Sequence, residues 1–441
     1  MVYNMKKIYI IGCLAALSFA ACKPNLNSSK PSAGSLDLSV YVAVGNSLTA
    51  GYADNSLYRE GQLNSYPKRL SEQFALVGGG SFVQPLLPSS AAYPTPQYVL
   101  ALTTGCTGTT SLGPVPSSDT NGAGNGNNIA SQGPFNNVGV PGIRAVDFLF
   151  AGYGILNPYA GRFYANPSTQ TPLDEALRLK ATFYSVWLGS NDVLGYATSG
   201  GAGSVAPAVP FTNDISPLPL FQYEYDSVIG ALFKNGAKGV LMNIPDVTAI
   251  PFFTTIPHNA LTLTATQAAA LNAAYAGTGI TFKAGANNFI IQDAASPIGL
   301  RMMKDDELVL LTTPQDSLTC GGWGSLKPIP ADYILDETEI SNVKTYTESY
   351  NQVILTAATK YNLAYVDMNS YLKTLATGII FNGVNYNAQY VNGGAFSLDG
   401  VHLTPRGYAL VANKILSVIN QHYNANIPLT DVNKYGGIRF P

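Results

Sequence analysis

Four short motifs in this chain carry residue types suited to nucleophilic attack on a carbonyl carbon. The first is Gly45-Asn46-Ser47-Leu48-Thr49-Ala50-Gly51. A serine on a tight strand-to-helix turn projects its hydroxyl into a crevice, and its own N–H is free at the helix start. Taken alone it is an N-cap, the commoner role of a hydroxyl after a strand. The second, Asn137-Val138-Gly139-Val140-Pro141-Gly142, ends in a glycine whose bare N–H can approach a ligand; alone it is a turn glycine. The third is Gly189-Ser190-Asn191-Asp192, where the Asn191 amide can face a developing oxyanion; alone it is an Asx turn. The fourth is Asp399-Gly400-Val401-His402. Its two-residue spacer lets the carboxylate fold back onto the imidazole, orienting the ring and stabilising its charged form. Alone it is a loop aspartate and a solvated histidine. The chain has 3 histidines. His258 lies in a long irregular stretch beside Pro257, and His422 at the exposed end of the last helix. His402 is the one with a carboxylate at close spacing just before a helix.

The surrounding elements supply a frame. Short apolar runs at 41–44, 136–139, 182–188, 239–244 and 363–366 read as five buried strands. Helical spacing marks 66–77, stopped by Gly78-Gly79-Gly80, then 221–233 and 337–361, the last with Ile340, Val343, Tyr350, Ile354 and Ala358 on one stripe. A further helix begins at 146–150. Thr404-Pro405 starts a final helix, with a hydroxyl cap and proline at the first helical position. Alternating strands and helices imply a mostly parallel sheet covered on both faces. Ligands then bind at the carboxyl ends of the strands, so the residues after Val44, Val138, Leu188 and Val366 are the first places to search. Residues 85–133, 198–220 and 246–335 read as insertions; the first is rich in Pro, Gly, Ser, Thr and Asn, has no clear periodicity and is expected as a surface loop.

All four motifs, in this order on this frame, resemble the SGNH/GDSL hydrolase family. Gly45-Asn46-Ser47-Leu48 matches its first motif, Gly142 its second, Gly189-Ser190-Asn191-Asp192 its third and Asp399-Gly400-Val401-His402 its last, over residues 38–423. The resemblance implies a flavodoxin-like three-layer α/β/α fold, with the five strands forming the sheet. It implies esterase, lipase, thioesterase or carbohydrate acetylesterase activity without a cofactor. Ser47 is then the nucleophile, His402 the general base and acid, and Asp399 its orienting partner. The oxyanion hole is the Ser47 N–H, the Gly142 N–H and the Asn191 side chain. One departure stands out: Asn46 occupies the place of the family's aspartate. An amide can brace the turn as well, and Asp54 nearby is not expected to substitute. No Gly-x-Ser-x-Gly elbow of the other large hydrolase class occurs.

Length alone suggests roughly two to three domains at about 150 residues each. A nucleophile and base so far apart in the chain instead require one domain with large insertions. Residues 1–21 are expected as a signal peptide, 22–37 as a lipidated tether, 38–423 as the hydrolase domain and 424–441 as a C-terminal extension. Met5-Lys6-Lys7 is a positive n-region, the mostly apolar stretch 8–19 is too short to span a bilayer, and Phe19-Ala20-Ala21-Cys22 resembles a bacterial lipobox that acylates Cys22. This places the protein in the cell envelope, anchored to a membrane, by expectation the outer one. Cys13 leaves with the signal. Cys106 and Cys320 remain, either paired in an oxidising compartment or as two thiols.

Charged residues make up only 11% of the chain, against about 25% in an average one. With a net charge of −2 and no basic run beyond Lys6-Lys7, nucleic acid is excluded as a partner. The expected partners are an ester substrate and, through the anchor, a membrane. No metal site is expected: the histidines are scattered, and the calcium-like start at Asp119 lacks ligands at Ala123 and Ala130. The reading is an exported, lipid-anchored serine ester hydrolase of esterase or lipase type. The alternatives are a carbohydrate O-acetylesterase or feruloyl-type esterase, and a surface lipoprotein that binds glycan or protein without catalysis.

Overall fold

Five short strands form the centre because their residues are mostly apolar or small and can be buried on both faces, as a parallel sheet demands. The computed structural model describes residues 30–119, 122 and 124–441, so Cys22 and the expected signal segment lie outside the described residues. The strands are β1 (Tyr41–Gly45), β2 (Asn137–Gly139), β3 (Phe183–Trp187), β4 (Lys238–Met242) and β5 (Ala364–Val366). All are parallel, in the order β5-β4-β3-β1-β2. Every residue of β1 and β3 is buried.

Six helices matter to the site: α1 (Ser47–Ala50), α2 (Tyr66–Ala75), α3 (Asn191–Thr198), α4 (Leu218–Phe233), α5 (Glu337–Lys360) and α6 (Pro405–Tyr423). Adjacent β3 residues face opposite layers. Phe183 meets Phe74 of α2 and Tyr423 of α6, while Tyr184 meets Phe233 of α4. Phe221 of α4 stacks on Tyr350 of α5 at 4.0 Å. The result is the three-layer α/β/α architecture of flavodoxin-like order. In that order the chain reverses direction across the sheet between β1 and β3, which opens a crevice at their carboxyl ends. The α5 stripe of Ile340, Val343, Tyr350, Ile354 and Ala358 is buried as its spacing requires. Thr404 caps α6, its Oγ accepting the Gly407 N–H at 3.1 Å.

Two local expectations are corrected. Residues 85–133 are not only loop: Tyr98–Thr104 and Thr110–Pro116 form an antiparallel hairpin. Most of its residues are exposed, so there is no apolar alternation to read. The root of this insertion is pinned internally. The buried Arg162 guanidinium donates to the carbonyls of Asn125, Pro85 and Leu86, and burial pulls its pKa down to about 10. Second, the helix expected from 146 is only a 3-10 turn at Ala145–Asp147. Asp147 folds back to accept from the Arg144 N–H and pairs with its guanidinium, closing the turn on itself. The insertion at 246–335 carries a small core of its own, including Leu263, Leu271, Phe282 and Ile290, and an ion-pair network of Arg301 with Asp293 and Glu307.

Both flanks of the hydrolase segment pack onto it. Ser32 and Asn426 exchange backbone hydrogen bonds, and Leu36, Ile427 and Val432 are buried. Among the described residues no helix is long and apolar enough to cross a membrane.

Cys106, at the hairpin tip, is joined by a disulfide to Cys320, 214 residues later, at the end of a short helix Gln315–Thr319. The open question about these two cysteines is thereby settled as a pair. A cross-link over so long a separation restricts the unfolded chain, an effect typically worth about 2–4 kcal/mol. Cys320→Ser is expected to lower the melting temperature by several degrees, and reductant to lower that of the parent but not of the variant. A parent that melts unchanged after full reduction would contradict this.

Candidate active site

Ser47 is held at the end of β1 by a turn with no room to spare. A Cβ on Gly45 would lie 2.0 Å from Thr49 Oγ1 and 2.7 Å from the Trp187 carbonyl, so glycine is required there. Asn46 is buried and caps α1, its Oδ1 accepting the Leu48 N–H at 3.0 Å. The amide therefore braces the turn as expected of it. Gly51, at φ +83°, ends the helix after one turn.

His402 reaches the serine from the other end of the chain. Its Nε2 lies 2.8 Å from Ser47 Oγ, across 355 residues of sequence. Its Nδ1 lies 2.9 Å from Asp399 Oδ2. With Nδ1–H donated to the carboxylate, Nε2 presents a lone pair to the serine hydroxyl. Asp399 Oδ1 accepts the N–H groups of Val401 and His402, both at 2.8 Å, and the Ser397 hydroxyl at 3.0 Å. Oδ2 also accepts the Asn55 N–H at 2.9 Å. Burial by itself would raise this carboxyl; the facing His402 and the donated hydrogen bonds outweigh it and hold the group well below the usual carboxylate range.

The donors expected for an oxyanion stand at the ends of β1, β2 and β3. The Ser47 and Gly142 N–H groups donate to no protein acceptor among the described residues. Gly142 is exposed at φ +82°, a conformation that favours glycine, and Asn157 Nδ2 steadies the turn through the Pro141 carbonyl at 2.9 Å. Asn191 opens α3 and gives one amide hydrogen to the Ile143 carbonyl at 2.8 Å, which leaves the other available. Ser47, Asn191 and His402 line one cavity; Gly142 is not among its lining residues and is tied to that wall through Ile143. His258 lies elsewhere, 3.6 Å from Asp305, and His422 meets the Asn362 carbonyl at the surface.

Sequence reasoning missed the support behind Asp399. Asp54 replaces nothing in the first motif, yet it grips the aspartate's loop. Its Oδ1 accepts the Leu398 N–H, its Oδ2 accepts the Tyr58 hydroxyl, and its own N–H donates to Ser397 Oγ. Asp54 and Asn55 both take positive φ, at 51° and 63°. An Asp-Asn pair signals such a turn, but nothing local names its partner 344 residues away.

The family model for GDSL-like Lipase/Acylhydrolase matches residues 41–415. The chain belongs to this family. Membership makes it a carboxylic ester hydrolase. No curated protein matches it. Among solved structures it is similar to a protein described as a GDSL-like lipase from Parabacteroides merdae, at 10% identity over 88% of this chain and 99% of that one, with a TM-score of 0.35. It is similar to a mutant acetyl-xylooligosaccharide esterase from Geobacillus stearmophilus, at 11% identity over 88% and 96%, with a TM-score of 0.35. It is also similar to an extracellular lipase from Streptomyces rimosus, at 13% identity over 87% and 99%, with a TM-score of 0.32. Likeness at this level carries nothing about the ester that this hydrolase cuts.

Asp192 couples the turns that follow β2 and β3. It is fully buried beside Asn191, and its Oδ2 accepts the Ala145 N–H at 2.7 Å. The Ser216 hydroxyl also faces this carboxyl. Burial pushes its pKa up to about 7, although the Ala145 hydrogen bond pulls the other way. An acid raised in the folded state holds its proton there after the unfolded chain has lost it, so stability falls as pH rises from about 4 to about 7. Asp192→Asn removes that titration and keeps an acceptor for Ala145. Its melting temperature relative to the parent is expected to rise between pH 5 and pH 8; a constant difference across that range would contradict the assignment.

Proposed function

We propose that the chain is an exported, lipid-anchored esterase that cuts esters of apolar acyl groups through an acyl-enzyme on Ser47. The observation that carries this is the unbroken run Ser47 Oγ, His402 Nε2, His402 Nδ1, Asp399 Oδ2, at 2.8 and 2.9 Å, opening on an apolar cavity. His402 takes the serine proton as Oγ attacks the ester carbonyl. The Ser47 N–H, the Gly142 N–H and the Asn191 amide receive the oxyanion. His402 then returns the proton to the leaving alcohol, and a water activated by the same nitrogen releases the acid. Asp399 orients the ring and balances the imidazolium without changing its own protonation.

The cavity argues for the acyl group. Leu194, Val247, Ile250, Leu372, Phe396 and Val401 are among its walls. No Asp, Glu, Lys or Arg lines it among the described residues. Such a wall rewards each methylene removed from water by about 0.8 kcal/mol, roughly fourfold in kcat/KM.

Export and anchoring rest on the lipobox-like run ending at Cys22 and on a disulfide suited to an oxidising compartment. The envelope is the location that fits both.

Ser47→Ala is expected to lower hydrolysis of p-nitrophenyl esters by about 10³-fold or more with the fold intact; activity near the parent level would overturn the serine assignment. In the parent, kcat/KM is expected to climb from acetate to hexanoate. A preference for acetate over every longer chain, with acetylated xylan cut efficiently, would replace the apolar-acyl reading by deacetylation, and inactivity on all esters would favour the binding lipoprotein. Cys22→Ser is expected to move the protein from the membrane to the soluble fraction of the cell; retention with membranes would place the anchor elsewhere.

A further inference from the structure

His402 has two unlike neighbourhoods. One is the apolar cavity. In the other, the Tyr52 ring lies 4.6 Å from the imidazole, centre to centre. Tyr159 meets Tyr52 edge-on at 6.2 Å, and Tyr93 meets Tyr159 edge-on at 6.0 Å. None of the three lines the apolar cavity. Their inner sides cover a small buried cluster of Ala50, Leu57 and Leu87, yet each ring remains only part-buried.

These rings are fixed by the elements that fix the site. The Tyr52 carbonyl accepts the Tyr408 hydroxyl from α6 at 2.7 Å. Tyr93 exchanges two backbone hydrogen bonds with Leu57. The Tyr159 N–H donates to Asn157, whose amide also holds the turn before Gly142. Covering three small apolar residues does not require three contiguous tyrosines that begin at the histidine.

Acyl transfer assigns the sides. His402 Nε2 hands its proton to the oxygen of the departing alcohol as the acyl carbon–oxygen bond breaks and the bond to Ser47 Oγ remains. The alcohol therefore leaves along the imidazole. With the acyl group in the apolar cavity, the side left to the alcohol is the one that Tyr52 opens. Aromatic rings there favour a flat ring packed against their faces and edges over a flexible chain.

We propose that Tyr52, Tyr159 and Tyr93 form a leaving-group subsite for alcohols that carry a six-membered ring, whether an aryl ring or a pyranose. The subsite rests on the hydrolase reading above and adds the alcohol to it. Tyr159 is the ring to test, because it bridges the other two.

Tyr159→Leu keeps an apolar cover on the Ala50 cluster and removes the ring. Three butyrates with one acyl group are compared: ethyl, phenyl and the mono-ester of methyl β-xylopyranoside. In Tyr159→Leu, kcat/KM is expected to fall about 5- to 10-fold further for a ring-bearing ester than for the ethyl ester, chiefly through KM. Tyr159→Phe is expected to restore the parent's ratio. A loss confined to the phenyl ester supports an aryl alcohol, and one confined to the xyloside supports a glycan. Equal losses on all three esters overturn the subsite. Labelling of Ser47 by a fluorophosphonate separates the two claims. An unlabelled parent overturns the hydrolase reading and the subsite with it, whereas a labelled parent with equal losses overturns the subsite alone. Should Tyr159→Leu fail to melt cooperatively, Tyr93→Leu carries the same comparison.

Discussion

The buried, ionised carboxylate of Asp399 is the constraint around which the site is organised. A charge out of water is costly unless hydrogen bonds and an opposite charge replace its hydration. Asp399 meets this with five donors: the N–H groups of Val401, His402 and Asn55, the Ser397 hydroxyl and His402 Nδ1. Oδ1 takes three of these and Oδ2 two, so the carboxylate is gripped through both oxygens. The loop can therefore hold only a narrow set of shapes, and the imidazole inherits its direction from that loop.

Neighbouring segments close on the same loop from two sides. From one side, Asp54 takes the Leu398 N–H, and the outer hairpin starts where the Tyr98 N–H meets the Asp54 carbonyl at 2.7 Å. From the other, the Phe252 N–H donates to the Gly400 carbonyl at 2.9 Å. Gly400 sits at φ +70°, and a Cβ there would press within 2.8 Å of Leu311. The Cys106–Cys320 bridge then ties the hairpin to the segment that carries Phe252 and Leu311. Both insertions thus support the Asp399 loop, and the second also lines the cavity through Val247 and Ile250.

The serine side obeys a different rule. Ser47 depends on close approach, with Gly45 against Thr49 and Trp187, and on a short helix that leaves its N–H unpaired. Gly142 and Asn191 stand on the turns after β2 and β3, one on each side of β1, and are linked through the Ile143 carbonyl. The sheet order places these turns around one point; the side chains add only the last few ångströms.

Much of this is local and was legible in the residues. The five strands show as apolar runs because both faces of a parallel sheet are buried. Thr404-Pro405 marks the start of α6, and Asp399 pairs with His402 because a two-residue spacer lets a carboxylate fold back on a ring. The exposed hairpin at Tyr98–Thr104 was hidden for the opposite reason: with little burial it leaves no periodic trace. What only the tertiary structure decided are the contacts between distant segments. Ser47 meets His402 across 355 residues, Asn55 meets Asp399 across 344, and Cys106 meets Cys320 across 214. A hydrogen bond or disulfide between such segments depends on where the packed sheet and loops place two backbones to within a fraction of an ångström. Composition and spacing near either partner contain no record of that placement.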